Sequence, residues 1–419
     1  MKSKIIIQPS CNDAGDAAVI TVSQAVKNLL IKTQPVQGFE CIALRETLNR
    51  VLYEDILSPI DVPAHNNSAM DGYALSSDDL PVNGDKDFKV IGTAFAGRPF
   101  EGDCSAGECI RIMTGAMMPA CVDSVVIQEH VNVNEDKTVT IGCGHKKNQN
   151  VRFLGEDVKT GSTVLAKGSR VKAADLGVFA SLGINEIKVY RKPRVSFFST
   201  GDELKSLGQV LEKGDIYDSN RYSLYGLLSD CYVDLIDLGV VADDPEKLRE
   251  TLLIAANCSD MVLTSGGVSV GEADYIKDIL QQVGTMDFWK IAMKPGRPLT
   301  VGTIENCMFL GLPGNPVAVM VTFHQFVQPC LQQLAGMNVT PARLLKATCI
   351  DNIRKQPGRS EFQRAIASSD ELGNLQVKLT GRQGSGILTS MSLANCYIVL
   401  NEASSSINAG DEVTIQFFN

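Results

Sequence analysis

Four short runs in the second half of the chain set acids, hydroxyls and glycines where a β-type apolar run stops. Thr200-Gly201-Asp202-Glu203 follows RVSFFS, Asp243-Asp244-Pro245 follows residues 232–238, and Pro313-Gly314-Asn315-Pro316 follows residues 307–311. The fourth is VLTSGGVSVGEADY (residues 262–275), where Ser265, Gly266, Gly267, Ser269 and Gly271 precede or flank the acids Glu272 and Asp274. Glycines let a backbone approach an oxyanion closely, and the amides that open the next helix point at it. Acids disfavour a bare anion there and suggest a divalent cation, or a substrate carrying its own metal. WKIAMKPGRP (residues 289–298) adds Lys290 and Lys294, which share a face if this piece is helical, although Pro295 and Pro298 favour an ordered loop. Glycine turns after strands are mostly structural, and paired lysines are normally solvated surface. Four coincident junctions beside a proline-stiffened lysine pair favour an anion clamp, and acids plus lysines on one rim suit a phosphorylated, metal-assisted substrate.

Two further candidates lie earlier. Residues 58–75 (SPIDVPAHNNSAMDGYAL) carry Pro59, Pro63 and Asn66-Asn67, which forbid a regular helix or central strand and predict a long ordered loop. Within it, Asp71-Gly72-Tyr73 reads as a tight turn presenting the Asp71 carboxylate outward, with a plain Asx turn as the bland reading. Thr114, in RIMTGA (residues 111–116), ends a strand; its hydroxyl can donate to an anion or simply cap a turn, and the residues by themselves favour the cap.

For the four junctions to converge, their strands must share one sheet. From Pro193 the chain alternates strand and helix: strands at 194–199, 232–238, 261–263 and 307–311, helices at 218–228, 246–256, 274–283 and 317–334. This is the pattern of a three-layer α/β unit with a mainly parallel sheet, whose ligands bind at the carboxyl ends of the strands. Ahead of it, residues 18–31 and 42–52 have apolar residues at helical spacing and read as a helical hairpin. Residues 85–145 read as a small β unit with strands at 88–93, 109–113, 124–131 and 138–141. Residues 161–171 look like a hairpin, and residues 173–182 like a helix stopped by Gly183. Helical material on both sides of the β unit suggests an insertion. After Pro341 the composition returns to β, with runs at 345–350, 360–366, 376–378, 398–400 and 413–417.

The totals bound the answer further. A chain of 419 residues predicts about three domains. Hydrophobic and charged contents of 44% and 21% are those of a soluble globular protein, and a formal charge of −9 argues against nucleic acid or an anionic membrane surface as partner. No apolar run approaches a membrane span, and the three isoleucines of MKSKIIIQPS fall short of a signal segment, so the expected location is cytoplasmic. The 12 cysteines include no CxxC, which argues against structural zinc or a disulfide framework.

SAMDGYA (residues 68–74), RIMTGAMMP (111–119), FSTGDEL (198–204), TSGGVSVGEADY, KPGRP and GLPGNP together resemble the molybdopterin molybdenumtransferase (MoeA) family, to which the gephyrin E domain is related. Each motif is short, but six in order along nearly the whole chain are specific. The resemblance implies an enzyme that inserts molybdate at the dithiolene of adenylylated molybdopterin and releases AMP with Mg2+. It implies an elongated domain (15–52 and 150–190), an inserted β domain (53–149), the α/β domain (191–338) and a C-terminal β-barrel-like domain (339–419). A homodimer is also implied, with a cleft between the α/β domain of one subunit and motif loops of the other, and other proteins of the pathway are possible partners.

By motif, catalytic positions fall on Asp71, Thr114, Asp157, Glu203, Asp274, Lys290 and Lys294, with Asp71 and Thr114 reaching across from the second subunit. Metal positions fall on Glu203, Asp243 and Asp274. Binding positions fall on Ser265, Gly266, Gly267, Ser269, Gly271, Pro313, Gly314, Pro316, Arg359 (in QPGRSEF) and Ser385 (in RQGSG), the last two suited to donate to molybdate. Met117-Met118 and Gly386 depart from the family pattern without touching a proposed catalytic group. Two other readings remain open: an adenylyltransferase, which needs only the α/β domain and leaves SAMDGYA and the C-terminal region unexplained, and a non-catalytic dimeric scaffold, which has no need of convergent acids and lysines.

Overall fold

The computed structural model describes residues 19–267 and 275–418. Among these, the largest sheet has seven strands in the order Val19–Ile20, Thr285–Ile291, Pro298–Ile304, Cys307–Leu312, Met261–Ser265, Arg194–Thr200 and Asp234–Val241. The last four named run parallel, and Pro298–Ile304 is antiparallel to both of its neighbours. The parallel strands are apolar on both faces, as strands covered by helices must be. One face packs the helices Val22–Lys32, Ser219–Ser229 and Pro316–Thr322, and the other packs Pro245–Cys258 and Tyr275–Val283. Strands Thr285–Ile291 and Pro298–Ile304 carry no clean periodicity and add to those expected; they convert the expected loop around Lys290 into sheet.

Several local expectations are corrected. Residues 42–52 are not a helix. Phe39–Ala43 is a strand paired antiparallel with Glu186–Tyr190, followed by the single 3-10 turn Leu44–Thr47, and Asn49 at φ 66° ends it. Helical spacing of Ile42, Leu44, Leu48 and Leu52 is overridden by that long-range pairing. Residues 161–171 form no hairpin, because Thr163–Leu165 pairs with Ile56–Leu57. The segments flanking the small β unit are therefore joined by strand pairs as well as by the helix Ala173–Ser181. Residues 58–75 are not wholly irregular either, since Gly72–Leu75 lies between Ser124–Ile127 and Glu108–Ile112 inside a six-stranded sheet. Gly72 permits this: a Cβ there would sit 2.1 Å from the Val126 carbonyl oxygen. The run 317–334 is helical but interrupted by a π turn at Phe323–Val327, just ahead of Pro329.

In the C-terminal region, Ser360–Ser369, Leu375–Leu379, Leu344–Cys349, Glu412–Phe417 and Cys396–Leu400 pair in that order, and the last returns to the first, closing a barrel. The two-residue strand Met293–Lys294 adds to Ser360–Ser369 with Lys294 level with Glu361. Phe362 and Tyr397 of the barrel belong to the same buried cluster as Ile291, Met293 and Phe326. Barrel and α/β sheet therefore share a core. No helix among the described residues is long and apolar enough to cross a membrane.

Candidate functional site

The carboxyl ends of the parallel strands lie level, with Ser199 in register with Ser265 and Ser265 with Leu312. The loops that follow are consequently neighbours, and the Gly266 N–H donates to the Leu312 carbonyl at 3.2 Å. At Gly266, φ is 93° and an added Cβ would sit 2.5 Å from the Thr200 carbonyl oxygen. At Gly267, φ is 64° and a Cβ would meet Ile276 at 2.7 Å and the Thr200 methyl at 2.8 Å. Only glycine takes this backbone in that space.

Asn220 ties two of the loops together. Its Nδ2 donates to Ser265 Oγ at 2.8 Å and to the Gly314 carbonyl at 2.7 Å. Beside it, Asp218 caps the helix Ser219–Ser229 through Oδ1, which accepts from Arg221 N–H and from Ser199 Oγ at 3.1 Å. Asp218 Oδ2 and Asn220 Oδ1 are buried without a hydrogen-bond partner, although Arg221 Nε lies 3.6 Å from the former.

A cleft of ≈ 760 Å³ opens between these loops and the barrel. Of the residues singled out from sequence, Gly266, Gly267, Lys294, Pro313, Gly314, Arg359 and Ser385 line it. Glu203, Ser265 and Pro316 line a smaller cavity of ≈ 90 Å³, which shares Gly266 and Gly314 with the cleft. Asp243 lies just past the end of the neighbouring strand Asp234–Val241, where it accepts from the Thr200 hydroxyl, and its N–H donates to Asp202 Oδ1 at 3.3 Å. Lys290 is buried in its strand, level with Val19 and Pro298, and does not line the cleft. Ser269, Gly271 and Asp274 lie outside the described residues. Among the described residues, no three His, Cys, Asp or Glu side chains come together to hold a metal.

Asp71, Thr114 and Asp157 line neither cavity. The Asp71 carboxylate does not project from a tight turn. It precedes the strand Gly72–Leu75, and its Oδ1 accepts both the Thr114 N–H and the Thr114 hydroxyl, each at 2.7 Å. The Thr114 amide first, then its hydroxyl, hold the Asp71 carboxyl below the usual carboxylate range, with Arg111 contributing. Thr114 thus serves Asp71, a third role beyond the two considered from sequence. Asp157 is exposed, and its N–H donates to the Val62 carbonyl at 3.0 Å.

Several polar groups on or behind the cleft wall were missed from sequence. Glu361 is buried, with Lys294 Nζ at 3.7 Å and Gln363 Nε2 donating at 2.5 Å. Lys355, also buried, donates to the carbonyls of Gln356 (3.2 Å), Arg359 (2.8 Å) and Ser404 (3.3 Å), and so shapes the turn that carries Arg359. Arg364 is 1% exposed on the cleft wall, and burial lowers its proton affinity below that of an ordinary guanidinium. A signal existed for Arg364: it occupies the Phe362 and Ile366 face of an alternating strand, where a charge is out of place. The described cysteines are free thiols, and burial pushes those of Cys109, Cys307 and Cys330 up to about 12.

Three family models match this architecture in order: MoeA N-terminal region (domain I and II) at residues 20–183, a probable molybdopterin binding domain at 196–333, and MoeA C-terminal region (domain IV) at 346–418. A molybdopterin molybdenumtransferase of Haemophilus influenzae is 43% identical over 403 residues, covering 96% of this chain and 99% of that protein. The chain belongs to the MoeA family of molybdopterin molybdenumtransferases. Gephyrin of Dictyostelium discoideum is 32% identical over 459 residues, covering 96% of this chain and 63% of that protein. The crystal structure of the molybdopterin biosynthesis MoeA protein from Pyrococcus horikoshii OT3 superposes with a TM-score of 0.84 at 30% identity, covering 96% of this chain and all of that one. The MoeA match extends over the inserted sheet and the barrel as well as the α/β sheet, which an adenylyltransferase limited to the α/β region would leave unmatched.

Proposed function

We propose that this MoeA-family chain is a transferase of molybdenum cofactor biosynthesis that inserts molybdate at the dithiolene of adenylylated molybdopterin and releases AMP. The observation that carries the reading is the cleft itself, where the loops at the strand ends face Lys294, Arg359 and Ser385. A tetraoxoanion needs cations and hydrogen-bond donors, and these three supply both. The backbone at Gly266 and Gly267 stands where a phosphate can approach without meeting a side chain. During the reaction water takes the adenylyl group as the phosphoanhydride bond breaks, giving AMP and the pterin phosphate, while molybdate gives up one oxo group as water with the two dithiolene thiol protons as both sulfurs bind molybdenum.

Mg2+ fits the donor chemistry of the smaller cavity, since Glu203 lines it and two buried oxygens, Asp218 Oδ2 and Asn220 Oδ1, accept no hydrogen bond there. Glu203 and Asp243, together with Asp274, would hold the ion, which when bound neutralises charge on the pyrophosphate.

A homodimer completes the site in this reading. Asp71 and Thr114 line neither the cleft nor the smaller cavity, yet Met70, Met117, Phe153 and Leu154, close to them in sequence or pairing, are exposed. A second exposed apolar group, Leu207, Val210, Leu211, Ile216 and Tyr217, follows Glu203. Two such patches suit association of copies.

The test supplies purified protein with adenylylated molybdopterin, Mg2+ and molybdate and follows AMP. Molybdate-dependent release that falls at least tenfold in Arg359→Gln supports the transferase. Adenylylation of free molybdopterin from ATP would support the adenylyltransferase instead, and inertness both ways would leave the scaffold. For the dimer, sedimentation gives the mass, and mixing Asp71→Asn with Arg359→Gln subunits should restore part of the activity.

A further inference from the structure

Arg364 has no place in the roles given so far, and its setting is unusual. Its side chain is almost wholly buried on the wall of the cleft, and no carboxylate among the described residues forms an ion pair with it. A buried guanidinium without a counter-ion is costly to hold, so a compensating charge is expected to arrive from elsewhere. Its hydrogen bonds point to where. Nε donates to Ser390 Oγ at 3.0 Å, and an Nη donates to the Gly384 carbonyl at 3.0 Å, one residue before Ser385. The Arg364 backbone exchanges two more bonds with the Gln383 side chain, at 2.8 and 3.1 Å. From the other side, the Ser385 carbonyl accepts the Val317 N–H at 3.1 Å, at the start of the helix that follows Pro313-Gly314-Asn315-Pro316. The loop bearing Ser385 is therefore pinned between Arg364 of the barrel and the loop end of the α/β sheet.

We propose that Arg364 is a positioning residue for the oxyanion end of the cleft: it fixes the 383–385 loop and leaves an unneutralised positive charge beneath Ser385 that a tetrahedral oxyanion of the molybdate class compensates. This rests on the transferase reading and assigns a further residue to the molybdate end of that site. Lysine in its place keeps the charge but cannot make the forked contacts to Ser390 and Gly384; glutamine keeps one donor and loses the charge.

The experiment measures AMP release with Arg364→Lys and Arg364→Gln, varying molybdate and adenylylated molybdopterin separately, with calorimetric molybdate binding at two salt concentrations. Losing one charge-assisted contact is expected to raise KM for molybdate about tenfold in Arg364→Gln, less in Arg364→Lys, while KM for adenylylated molybdopterin stays within about twofold. Wild-type molybdate affinity should fall with salt more steeply than that of Arg364→Gln. Equal loss in both variants, or KM rising for both substrates together, would assign Arg364 a merely structural role and overturn the proposal. If Arg364→Gln does not fold, Arg364→Lys carries the test: unchanged molybdate binding and an unchanged KM for molybdate there overturn it. Absence of molybdate-dependent AMP release in the wild type would instead overturn the transferase reading, so the two failures are distinguishable.

Discussion

Replacing Asn220 by alanine tests whether the strand-end loops work as one rigid edge. The Asn220 amide donates two hydrogen bonds, 2.8 Å to Ser265 Oγ and 2.7 Å to the Gly314 carbonyl, from a partly buried position. Each such bond contributes about 0.5–1.5 kcal/mol net, so removing both costs on the order of 2 kcal/mol. Because both of these bonds run from Asn220 to the strand-end loops, most of that cost falls on the order of the two loops. A loss of about 2 kcal/mol lowers the ordered-to-disordered ratio of the loops roughly thirtyfold, which sets a ceiling of about thirtyfold on the expected fall in kcat/KM for AMP release. Asn220→Asp separates shape from hydrogen bonding. The Ser265 hydroxyl can turn to donate to the new carboxylate, but the Gly314 carbonyl would face an oxygen instead of an N–H, so this isostere should be at least as damaging as alanine. Steady-state AMP release, paired with amide hydrogen exchange over residues 264–267 and 311–316, is the assay. Wild-type kcat/KM in Asn220→Asp, or unchanged exchange in Asn220→Ala, would refute the idea that Asn220 joins the loops.

Gly266→Ala should abolish AMP release and lower the melting temperature by several degrees, because the new Cβ would lie 2.5 Å from the Thr200 carbonyl oxygen at a φ of 93°; wild-type kinetics in that variant would contradict the geometry. His324 is buried with Nδ1 2.9 Å from the Tyr397 hydroxyl, and burial pulls its pKa down to about 4. The folded value lies below the unfolded value of about 6.5, so its contribution is complete above pH 6.5 and is lost as pH falls towards 4. The gap corresponds to about 3 kcal/mol, and urea unfolding midpoints at pH 7 and pH 4.5 should differ less in His324→Phe than in wild type. Thr114→Val removes the hydroxyl but not the amide that holds Asp71. The Asp71 pKa should rise part of the way towards its unfolded value of about 3.9. A depressed carboxylate contributes stability that is fully present above the unfolded value and is lost as pH falls through the folded one, so Thr114→Val should be less stable than wild type at neutral pH, and the difference should vanish in acid; NMR titration of the Asp71 carboxyl and urea midpoints at neutral pH and in acid check this.

Much of the α/β edge was legible in the chain because the information is local. Apolar runs that stop at Thr-Gly-Asp-Glu, Thr-Ser-Gly-Gly or Pro-Gly-Asn-Pro announce strand ends, and a parallel sheet must bring such ends to one edge. The glycines at 266 and 267 could be assigned to that edge from the chain because the apolar run 261–263 stops at Thr264-Ser265-Gly266-Gly267; that their backbone excludes other residues came only from the structure. Local signals failed where pairing partners are distant. Residues 42–52 have helical spacing, yet Phe39–Ala43 is held by a strand more than 140 positions later. Residues 58–75 looked irregular because Pro and Asn dominate, yet four of them complete a sheet whose other strands come from residues 86–141.

The cleft shows the same division. Lys294 could be proposed for an oxyanion from the chain itself, because a cation in a stiff glycine- and proline-bearing run declares its chemistry, whereas Arg359 and Ser385 came only from the resemblance of their motifs to the MoeA family. Which of them meet was decided by the closed barrel, whose strand Ser360–Ser369 captures Met293–Lys294 and brings Lys294 against Glu361. Lys290, four residues earlier and equal in sequence terms, is instead buried within the α/β sheet. The roles of Asn220 and Lys355 were decided by tertiary structure alone, and for Arg364 the alternating strand marked only a charge out of place, not its partners. Their roles depend on which carbonyls and hydroxyls the fold brings within 3.5 Å, and residue type in a linear chain carries no record of that distance.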